Sequence, residues 1–133
     1  MMCPCYSGKS YDQCCGPYHA GKLVPTPLAL MRSRYSGYAL KKIDYILETT
    51  HPTLQKQSKE REEIAKFSDE VSFDGLDILE AVGDYVTFRA HLLKKGKDIS
   101  FTEKSHFVKV NGTWKYHSGV LTSSVLGSFS SLP

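Results

Sequence analysis

All four cysteines of the 133-residue chain fall within its first fifteen residues, as Cys3-Pro4-Cys5 and, eight residues later, Cys14-Cys15. The rest of the chain has no cysteine to staple it, so it is not a secreted disulfide scaffold and must build its own core. Neighbours such as Cys14 and Cys15 rarely bridge each other, because the disulfide strains so short a link. Four thiolates in one short loop can instead close a tetrahedral zinc shell, and Cys3, Cys5, Cys14 and Cys15 are the expected ligands. Four sulfurs leave no open position for water, which makes the site structural, not catalytic. Ser7-Gly8-Lys9-Ser10 supplies a turn whose N–H groups can bond the sulfurs and spread their charge. Two alternatives stand beside this reading: a reduced, reactive cysteine cluster, and His19 in place of Cys15 as a ligand.

The size fits one domain. A chain of 14.9 kDa buries roughly 68% of its extended surface on folding. With 41% apolar and 23% charged residues, it is neither a disordered tail nor a coiled coil. The formal net charge of +3 falls short of the strongly basic stripe of a dedicated nucleic-acid binder, so nucleic acid is not the expected partner. That excess lies in residues 1–50, where six Lys/Arg face three carboxylates. The uncharged run Val120–Pro133 is too short and serine-rich to span a bilayer. The first residues lack the basic and apolar regions of a signal peptide. The expected location is the cytoplasm.

Three helices should follow the cysteine loop. Thr26 can cap a helix opening at Pro27, with Leu28, Met31, Tyr35 and Tyr38 on one face and Gly37 weakening its end. A second, carrying Ile43, Ile46 and Leu47, stops before His51-Pro52. A third runs from about Lys59 to Phe67, its early Glu60, Glu62 and Glu63 suiting the helix dipole. From Val71 the apolar period becomes two. Strands are expected at Val71–Val82, with a turn or bulge at Asp74-Gly75, then at Tyr85–Leu93, Ile99–Val110 and Thr113–Val120. Lys94–Asp98 is a hairpin loop, and Asn111-Gly112 is a type I′ turn signal. The fold class is α+β: three helices packed on a curved antiparallel sheet, preceded by a small zinc knuckle. The expected division is a knuckle at 1–22, a body at 23–122 and a serine-rich tail at 123–133.

Pairing across Asn111-Gly112 sets Val110 opposite Thr113, Phe107 opposite Tyr116 and Ser105 opposite Ser118. One face then carries Phe101, Glu103, Ser105, Phe107, Trp114 and Tyr116, joined by Val86, Phe88, Ala90 and Leu92. A carboxylate among these aromatics needs a partner. Arg32 or Arg34 of the first helix could form a bidentate pair with Glu103, as a structural ion pair or as part of a pocket. Six aromatics, Tyr35, Tyr38, Phe88, Phe107, Trp114 and Tyr116, should largely fill the space between helix and sheet. The opposite face carries Arg89, His91, Lys104, His106, Lys115 and His117, with His106 opposite His117. That pair has no third ligand in sight, so the face reads as solvated or as a partner surface.

The stretch Cys3-Pro4-Cys5-Tyr6-Ser7-Gly8-Lys9, continuing to Cys14-Cys15-Gly16, resembles the SEC-C motif, the zinc knuckle at the C-terminus of the SecA translocation motor. The fourth ligand of that motif is Cys or His. Tyr6 stands where the motif usually has Gly, and a positive φ there would strain it. Gly16-Pro17-Tyr18-His19, Leu30 to Tyr38, Asp44-Tyr45, His51-Pro52, Glu103 to Phe107 and Asn111 to Trp114 extend the resemblance to the YchJ-like family, over residues 3 to about 119. The resemblance implies zinc and the conical, cystatin-like fold of nuclear transport factor 2, but no reaction. It implies a bacterial zinc-binding protein acting as a protein-binding adaptor through its knuckle, since the SecA knuckle binds the chaperone SecB. A secretion chaperone or ribosome-associated partner would fit. The other reading is a small-molecule-binding protein or enzyme using the cone near Glu103. An enzyme needs two converging polar groups, and the core face offers Glu103 alone.

Overall fold

The computed structural model describes residues 1–52 and 57–124. The expected tail lies outside them from 125 onward. The cysteine loop contains a 3-10 turn, Tyr11–Gln13, and a short helix α1, Gly16–His19. Then come α2, Pro27–Ala39, α3, Ile43–Glu48, and α4, Gln57–Glu70. The strands are β1, Val71–Val82, β2, Tyr85–Lys94, β3, Lys97–Asp98, β4, Phe101–Val110, and β5, Thr113–Ser124. The sheet is antiparallel in the order β1-β2-β4-β5, with β3 beside β2. It is the expected α+β plan with a fourth, very short helix in the cysteine loop.

Local signals account for most boundaries. The Thr26 hydroxyl accepts from Ala29 N at 3.1 Å and Pro27 takes the first helical position, where its missing N–H costs nothing. Asn111 and Gly112 both have positive φ, as a type I′ turn requires. Lys95 and Gly96 repeat that pattern between β2 and β3. Gly37, buried near the end of α2, is where α3 approaches: a Cβ there would stand 3.2 Å from Ile46 Cδ1.

Four boundaries differ from expectation. The expected Lys94–Asp98 loop shrinks to a two-residue turn, because Lys94 ends β2 and Lys97–Asp98 pairs with it as β3. The third strand begins at Phe101, not Ile99, because the Asp98 carboxylate takes Ser100 N at 2.9 Å and the Ser100 hydroxyl takes Leu92 N at 3.0 Å. Such local side-chain bonds compete with ladder bonds. The last strand runs on to Ser124, past its expected end at Val120. The third helix is longer than expected at both ends and passes without a loop into β1.

The core lies between α2 and the concave face of the sheet. Leu30, Met31 and Tyr35 pack against Val86, Phe88, Ala90, Leu92, Phe101 and Phe107. A smaller cluster of Tyr38, Ile46 and Ile64 joins α2 to α3 and α4. Leu28 is only partly buried, while Leu30 is fully buried, so α2 hides more than one stripe.

The register holds from Val110↔Thr113 to Phe107↔Tyr116, then slips. His117 is an unpaired bulge residue, so His106 faces Ser118 and Ser105 faces Gly119. The expected pairings of Ser105 with Ser118 and of His106 with His117 do not occur. One extra residue reverses which side chains point inward. Val120 turns outward and is 68% exposed, while Gly119 moves under Glu103.

A Cβ on Gly119 would overlap the Glu103 carboxylate. Gly119→Ala should therefore destabilise the protein by about 1–3 kcal/mol, the cost of overpacking a filled core. Combined with Glu103→Ala the added cost should largely vanish, because the two sites share one space. Thermal denaturation of the two single variants and the double variant reads both; equal costs in both backgrounds would contradict the overlap.

Candidate metal centre

The turn between Cys5 and Cys14 folds the two cysteine pairs onto each other. Cys3 N donates to Lys9 O at 2.9 Å, and Met2 and Ser10 form an antiparallel bridge. The four sulfurs lie within 4.8 Å of one another. Cys3, Cys5 and Cys15 are buried, and Cys14 is partly exposed. None is in a disulfide. Sulfurs around a tetrahedral ion with bonds of about 2.3 Å stand about 3.8 Å apart. The Cys5–Cys14 and Cys14–Cys15 separations are 3.5 and 3.9 Å, so the residues fit such an ion.

The surroundings suit thiolates. The Ser7 hydroxyl is 3.2 Å from Cys14 Sγ, and Arg32 Nη1 stands 4.0 Å from Cys5 Sγ. Hydrogen bonding from the Cys15 thiol holds the Cys5 thiol well below its ordinary range. The same contact, together with burial, pushes Cys15 up. Burial likewise raises Cys3. A thiolate beside thiols in a closed pocket is the donor set a soft or borderline cation displaces protons from.

His19 does not join the sulfurs. Its Nε2 bonds Ser33 O at 2.8 Å and its Nδ1 bonds the Tyr11 hydroxyl at 2.6 Å. A carbonyl only accepts, so Nε2 carries the proton and Nδ1 accepts from Tyr11. Burial lowers the pKa of His19, which favours this neutral form. With both nitrogens engaged, His19 fastens the knuckle to α2.

Arg32 and Arg34 diverge. Arg32 donates to Cys5 O at 3.0 Å. Arg34, 6% exposed, donates to Ile46 O at 3.0 Å, Thr49 Oγ1 at 2.8 Å and Thr50 Oγ1 at 3.1 Å. These groups lie at the C-terminal end of α3, where carbonyls lack helical partners. Its guanidinium also lies 4.9 Å from the Tyr116 ring centre.

Glu103 is buried, 3% exposed, as expected, but the contact ion pair with an arginine is not among those of the described residues. Oε2 accepts from Ser105 Oγ at 2.5 Å, and Oε1 has no hydrogen-bond partner among the described residues. Arg34 is satisfied by α3 instead and shares with Glu103 only a cavity of about 20 Å³, walled also by Met31, Phe88, Ser105, Phe107 and Tyr116. That space suits one water molecule bridging the two. Of the six aromatics expected in the cone, Tyr35, Tyr38, Phe88 and Phe107 are fully buried, while Trp114 and Tyr116 are half-buried.

Sequence reasoning missed how the knuckle is held to the body. Tyr6 does have positive φ, +62°. Its hydroxyl donates to Phe73 O at 2.7 Å, and its ring meets Tyr35 edge-on at 6.3 Å. The only sequence cue was the motif departure at Tyr6 itself.

The profile of the family described as "YchJ, middle NTF2-like domain" matches residues 26–119. A "UPF0225 protein" of Deinococcus radiodurans is 42% identical over 116 residues, 86% of this chain and 85% of that protein. "UPF0225 protein YchJ" of Shigella dysenteriae is 36% identical over 126 residues, 90% and 82% of the two chains. Among solved structures, a SEC-C motif containing protein from Rhodopseudomonas palustris superposes with a TM-score of 0.80 at 37% identity, covering 92% of this chain and all of that one. A second, from Psychrobacter arcticus, superposes at 0.72 with 24% identity, covering 92% and 84%, and shares the fold. A four-cysteine cluster on an α+β cone, matched along most of its length by these proteins, makes this chain a member of the UPF0225/YchJ family.

Proposed function

We propose that Cys3, Cys5, Cys14 and Cys15 hold a structural zinc ion, and that the knuckle so formed is a docking element for a partner protein. The observation carrying the reading is the convergence of four sulfurs within 4.8 Å of one another, two of the pairs at 3.5 and 3.9 Å. Four thiolates favour zinc among the divalent cations available to a cell, and they leave it no reactive position. The ion would supply folding energy and no chemistry. Its work is to fix the loop so that Ser7, Lys9, Gln13 and the Cys14 edge present one surface beside Arg32 and Leu28 of α2. Among the described residues no helix is long and apolar enough to cross a membrane. A reduced cytoplasmic compartment suits four thiolates. A secretion chaperone or a ribosome-associated factor remains the class of partner that the SEC-C resemblance suggests.

The second reading, a ligand in the cone, draws support from the orphan Glu103 oxygen facing a cavity. A volume of about 20 Å³ matches a water and not an organic substrate, and the polar neighbours Arg34 and Ser105 are already engaged, by α3 and by Glu103 itself. The knuckle therefore carries the proposal.

Purified protein should contain about one zinc per chain, and a chelator should release it. On release, amide exchange should accelerate in residues 1–20 while the body, with a core of its own, keeps its protection. Metal analysis finding none in protein made without chelator, with all four cysteines freely alkylated, would contradict the site.

The adaptor reading is tested by affinity capture from bacterial lysate with zinc-loaded protein and with a Cys14→Ser variant. A specific partner lost with the variant, while the body's thermal transition persists, is the expected result. A partner retained by the variant would move the interaction away from the knuckle.

A further inference from the structure

Between α1, the start of α3 and the first residues of β5 lies an open cleft of about 540 Å³. Five cations line it: Lys22 from the knuckle, Lys41 and Lys42 from the α2–α3 turn, Arg61 from α4 and Lys115 from β5. Two carboxylates, Asp44 and Glu48, line it as well. The excess of three equals the formal net charge of the whole 133-residue chain. The other residues of the chain therefore sum to zero formal charge.

Little of that charge is neutralised internally. Arg61 pairs with Asp44 at 2.6 Å, and Lys41 pairs with Asp69 at 2.6 Å, both on exposed groups. Such surface pairs are weak and exchange readily. Lys22, Lys42 and Lys115 have no carboxylate partner among the described residues. Lys22 lies over the Tyr18 ring at 5.9 Å, and Lys115 donates to the Glu48 carbonyl. Trp114 forms part of the wall, and its indole N–H has no acceptor among the described residues.

We propose that this cleft seats an acidic peptide segment of the partner protein. The inference rests on the adaptor reading and adds a second contact surface, with its chemistry, to the one formed by Ser7, Lys9 and Gln13. Lysine ammoniums on flexible stems, around an open and hydrated cleft, suit side-chain carboxylates that need no planar recognition. Tyr18 and Trp114 add flat apolar area for the peptide's stems. The knuckle contributes Tyr18 and Lys22, and the body contributes the rest, so the seat exists only while the two stay together. An acidic peptide is favoured over nucleic acid because the cationic excess is small and compact, not a continuing stripe.

Trp114 is the sole tryptophan and serves as the reporter. Zinc-loaded full chain should show a saturable change in tryptophan emission with hexaglutamate peptide and none with hexaglutamine. The affinity should fall steeply with salt, as for an exposed charged interface. Lys22→Glu with Lys42→Glu should weaken binding by about tenfold or more, with zinc content and thermal midpoint unchanged. No response to hexaglutamate, an unaltered affinity in the double variant, or tighter binding of a thymidine hexanucleotide would overturn the proposal. The two readings fail separately. If lysate capture depends on Cys14 but the double variant captures as well as the wild type, the adaptor stands and the acidic cleft falls.

Discussion

At the Asp74 bulge, edge strand β1 hands its backbone to two tyrosines. Tyr35 of α2 donates to Gly75 O at 2.8 Å and accepts from Gly75 N at 3.3 Å, while Tyr6 of the knuckle donates to Phe73 O at 2.7 Å. Asp74 is one of two residues left out of the β1–β2 ladder, the other being Leu79. An edge strand's unpaired polar groups invite another chain; here hydroxyls from the fold's own interior and from the knuckle take them. Burial pushes both phenols above their ordinary pKa, so each stays a donor. Knuckle, helix and sheet are thereby tied at one point, beside the knuckle's separate bonds to α2 through His19 and Arg32.

Helix α2 makes the second connection, through a difference of two residues. Successive residues turn by about 100°, so Arg32 and Arg34 point about 200° apart. Arg32 reaches the Cys5 carbonyl and Arg34 the end of α3. Each cation therefore meets carbonyl or hydroxyl oxygens, and neither needs a contact pair with Glu103. Burying an arginine–carboxylate pair in contact would cost desolvation of both groups. The arrangement instead gives Arg34 three neutral acceptors and Glu103 one neutral donor, and leaves a water-sized gap between their charges. His19, bonded to Ser33 O on the same helix, completes a helix that serves the sheet with one side and the knuckle with the other.

What was legible in the chain was what short-range chemistry decides. Thr26-Pro27, Asn111-Gly112 and Asp74-Gly75 each specify a backbone conformation within four residues, and each holds. The cysteines were legible because a tetrahedral shell needs four donors in a small volume, and spacing alone supplies it. The bulge at His117 left no such mark, since any residue can be the unpaired one. Missing it misplaced Ser118 and hid the role of Gly119, whose lack of a Cβ admits the Glu103 side chain. The acceptors of Arg34 were equally invisible, because Thr49 and Thr50 reach it through the return of α3, fifteen and sixteen residues away. The gathering of Lys22, Arg61 and Lys115 at one cleft depends on the same long-range folding.

Tyr6 shows how such a tie can be worth a strained residue. A side chain in the left-handed region costs roughly 1–2 kcal/mol, and glycine would avoid it. Glycine, however, would give nothing to Phe73 O and nothing to the face of Tyr35. A neutral hydrogen bond contributes about 0.5–1.5 kcal/mol and an edge-to-face aromatic contact about 0.5–1.5 kcal/mol. The gain and the strain are of one size, so Tyr6 adds little to stability on balance. What it changes is geometry. With glycine at this position the loop would keep its ties to α2 through His19 and Arg32 and lose the one to β1. With tyrosine, the loop's orientation is set by β1, and Tyr18 and Lys22 are held facing α3 and β5 across the cleft.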